Sequence, residues 1–361
     1  MQAYLLKRLF LIPVTLFFII TLNFFIVQLA PGGPVERMIS SLSKPNADAL
    51  SNLGGGANDM GMNAMPQNSA YQGANGLDPI LIESIKKQYG FDQPILTRYL
   101  KMLKDYALFD LGESYFKGDR VSNLILERMW VSLTLGLWST LLIYCISIPL
   151  GIRKARTSGS LEDTATSFIL IIAYAIPAFL FAVLLIIIFA GSAYFQWFPL
   201  RGLKGDDFDS LSMLGKIGDY FWHLALPTLA MTIGGFAATT FLTKNSFIEE
   251  LGKQYVVTAK AKGLSIRQVL YGHVFRNAML LIISSLPATL IGLFFTGSLF
   301  IEIIFSLEGL GLLGYEAVMN RDYPVMFGTL YLFTLVGLVG HFLSDITYHL
   351  IDPRINFESQ V

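Results

Sequence analysis

The sequence predicts an all-α membrane protein of six transmembrane helices, with a small helical cap in the first loop. Three observations predict it. Of 361 residues, 53% are hydrophobic and only 14% charged, against about 25% charged in ordinary soluble domains. Six apolar stretches reach the roughly 20 residues needed to cross the hydrocarbon core of a bilayer. Lysine and arginine gather in alternate connections between those stretches.

The first stretch, Leu9–Leu29, follows Lys7 and Arg8 and runs out at Pro31-Gly32. It is longer than the roughly 7–15 apolar residues of a cleaved signal, and no clean small-residue cleavage site follows it. Residues 1–30 therefore read as a retained first helix with a cytoplasmic N-terminus. Residues 31–130 form one long loop. Its part 40–77 is rich in Gly, Asn, Ser, Met and Ala without sustained periodicity, which reads as a flexible insertion. Met60, Met62 and Met65 lie there without the cysteine or histidine neighbours a soft-metal site would need. Part 78–128 reads as a helical cap. One helix starts at Asp78-Pro79, an N-cap with proline in the first turn, and runs to Tyr89-Gly90. A second, Ile95 to Asp105, places Leu96, Tyr99, Leu100 and Leu103 on one face. Such a cap would either shield helix ends or dock a partner.

Residues 131–350 hold the other five spans: Ser132–Ile152, Ser167–Ala190, Trp222–Thr243, Ala278–Ile301 and Val325–Leu350. Pro13, Pro149, Pro177, Pro227 and Pro287 lie in or at the ends of spans and would kink or begin helices. Gly234-Gly235 and Ala237-Ala238 suit close helix packing. Basic residues set the orientation. Lys7 and Arg8, then Arg153, Lys154 and Arg156, then Lys244, Lys253, Lys260, Lys262, Arg267 and Arg276, and finally Arg354 fall on one side. The other side has Arg201, Lys204, Lys216 and Arg321. The bias puts both termini, the loop 244–277 and the tail 351–361 in the cytoplasm, and the long first loop outside.

Within 244–277 the polar interruption Tyr255–Gln268 carries the most information. A helix-forming run with Lys260 and Lys262 stops at Gly263, a residue that tolerates the left-handed turn after a helix end. Ser265 with Gln268 then forms a capping box that begins a second helix. Two short basic helices hinged at a glycine, displayed between membrane spans, read as a docking element.

Enzyme chemistry is not expected. There is no Gly-x-x-x-x-Gly-Lys-Ser/Thr phosphate cradle, since Gly215-Lys216 lacks the first glycine and the hydroxyl, and no nucleophile or zinc motif occurs. Cys145 stands alone, and His223, His273, His341 and His349 lack metal-ligand spacing. Neither a metal nor a cofactor is expected. A net charge of zero supplies no argument for nucleic-acid binding. Ionisable residues inside a span are functional candidates. His341 and Asp345, four residues apart on one helix face, would serve either as a proton relay or as a structural contact near the cytoplasmic end of the last helix. The first use would make the chain an ion-coupled secondary transporter.

Short fragments along the whole chain resemble the oligopeptide/dipeptide ABC permease family. They begin with Tyr4-Leu-Leu-Lys-Arg8-Leu and Pro31-Gly32-Gly33-Pro34, and continue through Tyr89-Gly90-Phe91-Asp92-Gln93-Pro94 and Phe109-Asp110-Leu111-Gly112-Glu113-Ser114. Ile148-Pro149-Leu150-Gly151, Ala175-Ile176-Pro177-Ala178-Phe179 and His223-Leu224-Ala225-Leu226-Pro227 follow. The run Thr258–Leu264 with His273–Ala278 is similar to that family's "EAA" loop. Ile304–Gly311, Arg321-Asp322-Tyr323-Pro324 and Asp352-Pro353-Arg354-Ile355 close the match. The sequence departs at Lys244, where the family often carries arginine, and at His341, where it carries asparagine. The Gly/Asn-rich insertion ahead of Gly76-Leu77-Asp78-Pro79 is similar to a subfamily that also admits the peptide antibiotic microcin C.

The resemblance implies a type I ABC importer permease fold and the first of two homologous permease subunits. It implies a periplasmic peptide-binding protein, a peptide substrate and two cytoplasmic ATPase subunits, separate or fused, that supply the hydrolysis this chain cannot perform. Within the coupling loop 255–276, Thr258, Ala259, Ala261, Lys262, Gly263, Leu264, Arg276 and Asn277 would meet the ATPase.

Overall fold

In the computed structural model of the protein, residues 2–29, 83, 87, 92–191, 194–295 and 299–351 are described. Among them the architecture is helical. In chain order the elements are α1 (Gln2–Leu29), α2 (Ile95–Ala107), α3 (Val121–Arg156), α4 (Leu161–Ala175), α5 (Ala178–Phe189), α6 (Met213–Leu251), α7 (Gln254–Ala261), α8 (Ile266–Val269), a π-turn (Leu270–Val274), α9 (Phe275–Phe295), α10 (Leu299–Ile304), α11 (Leu310–Asn320) and α12 (Tyr323–Ile351). The insertion 40–77 and the tail 352–361 lie outside the described residues, as does most of the helix expected from Asp78; Glu83 and Lys87 within it are helical.

Leu6–Phe25 of α1, Val121–Arg156, Met213–Leu251 and Tyr323–Thr347 are each long and apolar enough to span a bilayer. The span expected as one helix over Ser167–Ala190 is instead two, α4 and α5, bent by 96°. Pro177 is the reason: its ring disfavours helical geometry at the preceding residue, and Ile176 is extended with ψ 119°. Pro149 and Pro227, by contrast, lie inside α3 and α6. The span expected over Ala278–Ile301 falls on α9 and the start of α10. At 36 and 39 residues, α3 and α6 exceed a bilayer's thickness, so their polar ends project beyond it. Arg153, Lys154 and Arg156 accordingly belong to the last turn of α3 rather than to a connection.

The chain forms two compact units. One comprises Met1–Ile12, Ile125–Leu313 and Phe333–Val361; the other comprises Pro13–Leu124 and Gly314–Leu332. In the first, Leu135 of α3, Ala182 and Leu185 of α5, Leu224 and Ala230 of α6, and Ile301 of α10 share one buried cluster. Of the expected packing glycines, Gly235 earns the description: a Cβ there would lie 2.3 Å from Ile143 Cδ1, whereas Gly234 faces open space. Phe168, Ile169 and Ile171 of α4 stay exposed, as they can where hydrocarbon is the solvent. Glu302 of α10 is fully buried. Its carboxylate accepts from Ser132 Oγ at 3.1 Å and from the Leu312 amide at 2.7 Å, which organises the turn between α10 and α11.

In the second unit, Tyr106 of α2 is buried edge-on against Tyr331, with ring centroids 5.3 Å apart. Tyr99 packs on Phe24 and shares a 2.7 Å hydrogen bond with Thr21 Oγ1. The apolar face expected on α2 is only half used: Tyr99 and Leu103 are partly covered, while Leu96 and Leu100 are exposed. Asp322, at the start of α12, accepts from Ser114 Oγ at 2.5 Å and from the Tyr115 amide at 3.2 Å. Two fragments 208 residues apart thereby hold one another.

Candidate functional site: the loop between α6 and α9

α6 ends at Leu251, with the Gly252 amide bonded back to Ile248 and Glu249. α7 then turns Val256 and Ala259, three residues apart and so on one face, into a buried cluster with Ile152 and Ala155 of α3 and Phe247 of α6. Val269, Leu270 and Val274 join the same cluster from the other side of the turn. The loop is therefore seated on the ends of two long helices.

The turn itself is a Schellman motif. Gly263 has φ 85°; its amide bonds to Lys260 O at 2.9 Å and the Leu264 amide to Ala259 O at 3.3 Å, satisfying carbonyls the helix end would otherwise orphan. Leu264 packs against the same cluster that buries Ala259. Ser265 and Gln268 form the expected capping box: Ser265 Oγ accepts from the Gln268 amide, and Gln268 Oε1 accepts from the Ser265 amide at 2.9 Å. Short α8 passes directly into the π-turn and so into α9.

A polar knot fastens the base. Glu250 ion-pairs with Lys253 and accepts from the Tyr255 hydroxyl at 2.7 Å, and the Asn277 side chain bonds into the same group. The Glu250 carboxylate raises the Lys253 pKa above its ordinary value. Burial, and then the bond to Glu250, raise that of Tyr255.

The sequence-predicted residues divide into two sets. Thr258, Ala261, Lys262, Gly263 and Arg276 are exposed and available to a partner. Ala259 is not: it is 7% exposed, and its smallness serves internal packing. Leu264 is half-buried, and Asn277, though exposed, is tied to the base of the loop. Sequence reasoning missed the apolar part of the exposed surface, Val257, Ile266 and Tyr271. The signal was present: apolar residues standing in a polar connection rather than in a span.

It also missed a charge cluster beneath. Asp163, in the first turn of α4, receives Lys154 Nζ from α3 at 2.9 Å and Lys244 Nζ from α6 at 2.8 and 2.7 Å. Lys154 is 2% exposed and also donates to Thr166 and Ser167. Lys244, the departure from arginine noted in the sequence, thus has a defined carboxylate partner. The pair expected on the last span is redistributed: Asp345 forms an ion pair with Arg8 of α1, and His341 is exposed.

Comparison with known proteins extends these observations. The profile of the family described as "binding-protein-dependent transport system inner membrane component" matches residues 147–357. The inner membrane ABC transporter permease protein YejB of Escherichia coli O157:H7 is 58% identical over 368 aligned residues, covering all of both chains. The peptidoglycan transport system permease protein YejB of Agrobacterium fabrum is 55% identical, with 99% of each chain covered. The oligopeptide transport system permease protein AppB of Bacillus subtilis is 31% identical, with 99% of this chain and 100% of that one covered. Since these likenesses run through the spans as well as the loop, the chain belongs to the family of binding-protein-dependent transport system inner membrane components.

Proposed function

We propose that the chain is one of the two permease subunits of an ABC importer that carries oligopeptides across a bacterial inner membrane. The names of the relatives above, two of them peptide or peptidoglycan transporters, support peptides and peptidoglycan-derived peptides as cargo. Microcin C belongs to the same chemical class. A periplasmic binding protein delivers the peptide, and two ATPase subunits, separate or fused, act from the cytoplasm. The termini and the loop between α6 and α9 face that side, in keeping with the bias of basic residues.

The observation that carries the coupling role is the seating of the loop. Thr258, Ala261, Lys262 and Gly263 present an exposed turn, while Val256 and Ala259 root it in α3 and α6. Force applied by an ATPase groove therefore reaches two membrane-crossing helices through packed side chains. Nucleotide-driven closure shifts the helices between two discrete arrangements, as in other alternating-access devices. Proton coupling through His341 and Asp345 finds no support, because Asp345 is engaged by Arg8.

Gly263 provides the test. A Cβ built there meets nothing within 4 Å, so a side chain is hindered only by the left-handed backbone, at about 1–2 kcal/mol, and by whatever docks. Gly263→Asp should reach the membrane at the parental level and lose peptide uptake. Gly263→Asn, whose side chain tolerates this backbone, should also lose uptake, which separates obstruction from strain. Parental uptake by both variants would overturn the docking role.

A further inference from the structure

The second compact unit holds a half-open pocket of about 230 Å³ beside α2 that the coupling mechanism does not use. Four charged residues line it: Arg98, Lys101, Asp105 and Asp110. The first three recur at intervals of three and four, so they share one face of α2. Phe24, Leu111 and Phe327 supply apolar wall. Although Lys101 and Asp105 stand one turn apart, no ion pair joins them among the described residues. Among the described residues, Asp110 accepts a 3.2 Å bond from the Gly112 amide.

The charges also run against the helix. A helix macrodipole favours acids in the first turn and bases in the last. α2 has no acid in its first turn and carries Arg98 there, while Asp105 falls in its last turn. Lys104, the base of that last turn, does not line the pocket. An arrangement unfavourable to the isolated helix becomes favourable with a ligand whose own dipole lies along it.

We infer that this pocket is a subsite for a short zwitterionic peptide, its carboxylate held by Arg98 and Lys101 and its ammonium by Asp105 and Asp110. This rests on the peptide-importer reading and deepens it. Arg98 and Asp105 stand seven positions apart, about 10 Å along the helix axis. A peptide of three residues spans roughly the same length when extended. The volume lies below the roughly 300–1,000 Å³ of drug-sized sites, which suits a tripeptide and excludes a long chain.

The test uses the complete importer in nanodiscs, without its binding protein, and three probes: trialanine, N-acetyl-trialanine and trialanine amide. Equilibrium dialysis should find the free tripeptide bound, and either blocking group should weaken it by about tenfold or more, the scale of a charged hydrogen-bonded contact. Asp105→Asn should erase the discrimination against the acetylated probe. Arg98→Gln should erase that against the amide, and exposed Lys101→Gln serves if Arg98→Gln fails to assemble. Equal binding of all three probes, no binding of any, or discrimination intact in the variants would overturn the subsite. Uptake of a radiolabelled peptide by the parent with its binding protein separates the two readings. Normal uptake beside a failed subsite sinks the subsite alone, whereas absent uptake sinks the importer itself.

Discussion

Gly309 and Glu302 illustrate how a single residue type is fixed by its neighbour. A Cβ at Gly309 would lie 2.2 Å from Glu302 Oε1, the atom that accepts from Ser132. Ser132 Oγ in turn accepts from the Leu310 amide at 2.8 Å. A methyl group therefore either displaces a buried carboxylate from its donors or moves the backbone. Gly309→Ala should cost about 1–3 kcal/mol, the usual penalty for overpacking, and lower the midpoint of thermal unfolding in detergent. A variant that melts with the parent would contradict the contact. At Gly263, by contrast, the space is empty and only φ matters. Both glycines read alike in the sequence, one in Glu-Gly-Leu-Gly and one in Lys-Gly-Leu.

Among the elements, the junction of α3, α4 and α6 rests on Asp163. Neutralising it leaves Lys154 and Lys244 with uncompensated charge, and breaking a buried pair of this kind costs about 3–5 kcal/mol. Asp163→Asn should therefore reduce the amount of folded permease, and an unchanged unfolding midpoint would show that the cluster contributes little. The knot at the base of the loop responds to pH at the alkaline end. The carboxylate of Glu250 keeps Lys253 protonated beyond its ordinary 10.5, and burial keeps Tyr255 neutral beyond its ordinary 10.0. Both pKa values are raised, so their contribution is complete below about pH 10 and is lost as pH climbs through the raised values. A spin label at Lys262→Cys, in a Cys145→Ser background, should have equal mobility at pH 7 and 9 and become more mobile above pH 10. Loosening already between pH 7 and 9 would place the anchoring elsewhere.

At the scale of the whole molecule, the proposed mechanism brings energy in through the loop and not through an ion pathway. Uptake by the reconstituted importer should persist when the proton gradient is collapsed and ATP is held constant. His341→Asn, which restores the residue the resemblance leads one to expect, should transport as the parent does, since His341 is exposed and Asp345 is paired with Arg8. Loss of uptake in that variant together with gradient dependence in the parent would favour ion coupling.

The sequence by itself determined the helical class, four of the six expected spans, the Schellman turn at Gly263 and the capping box at Ser265, because hydropathy, cap chemistry and φ preference act within a few residues. The same locality explains its errors. Pro177 announced a break but not a bend of 96°, which depends on how α4 and α5 pack against α6. Lys244 and Asp163 are 81 residues apart and Ser132 and Glu302 are 170 apart; no period or motif records such a pairing. Ala259 looked like a docking residue for the same reason, since smallness suits a partner's groove and a crowded interior equally. Only the tertiary structure decides between them, because burial is a property of what lies across the gap and not of the residue that faces it.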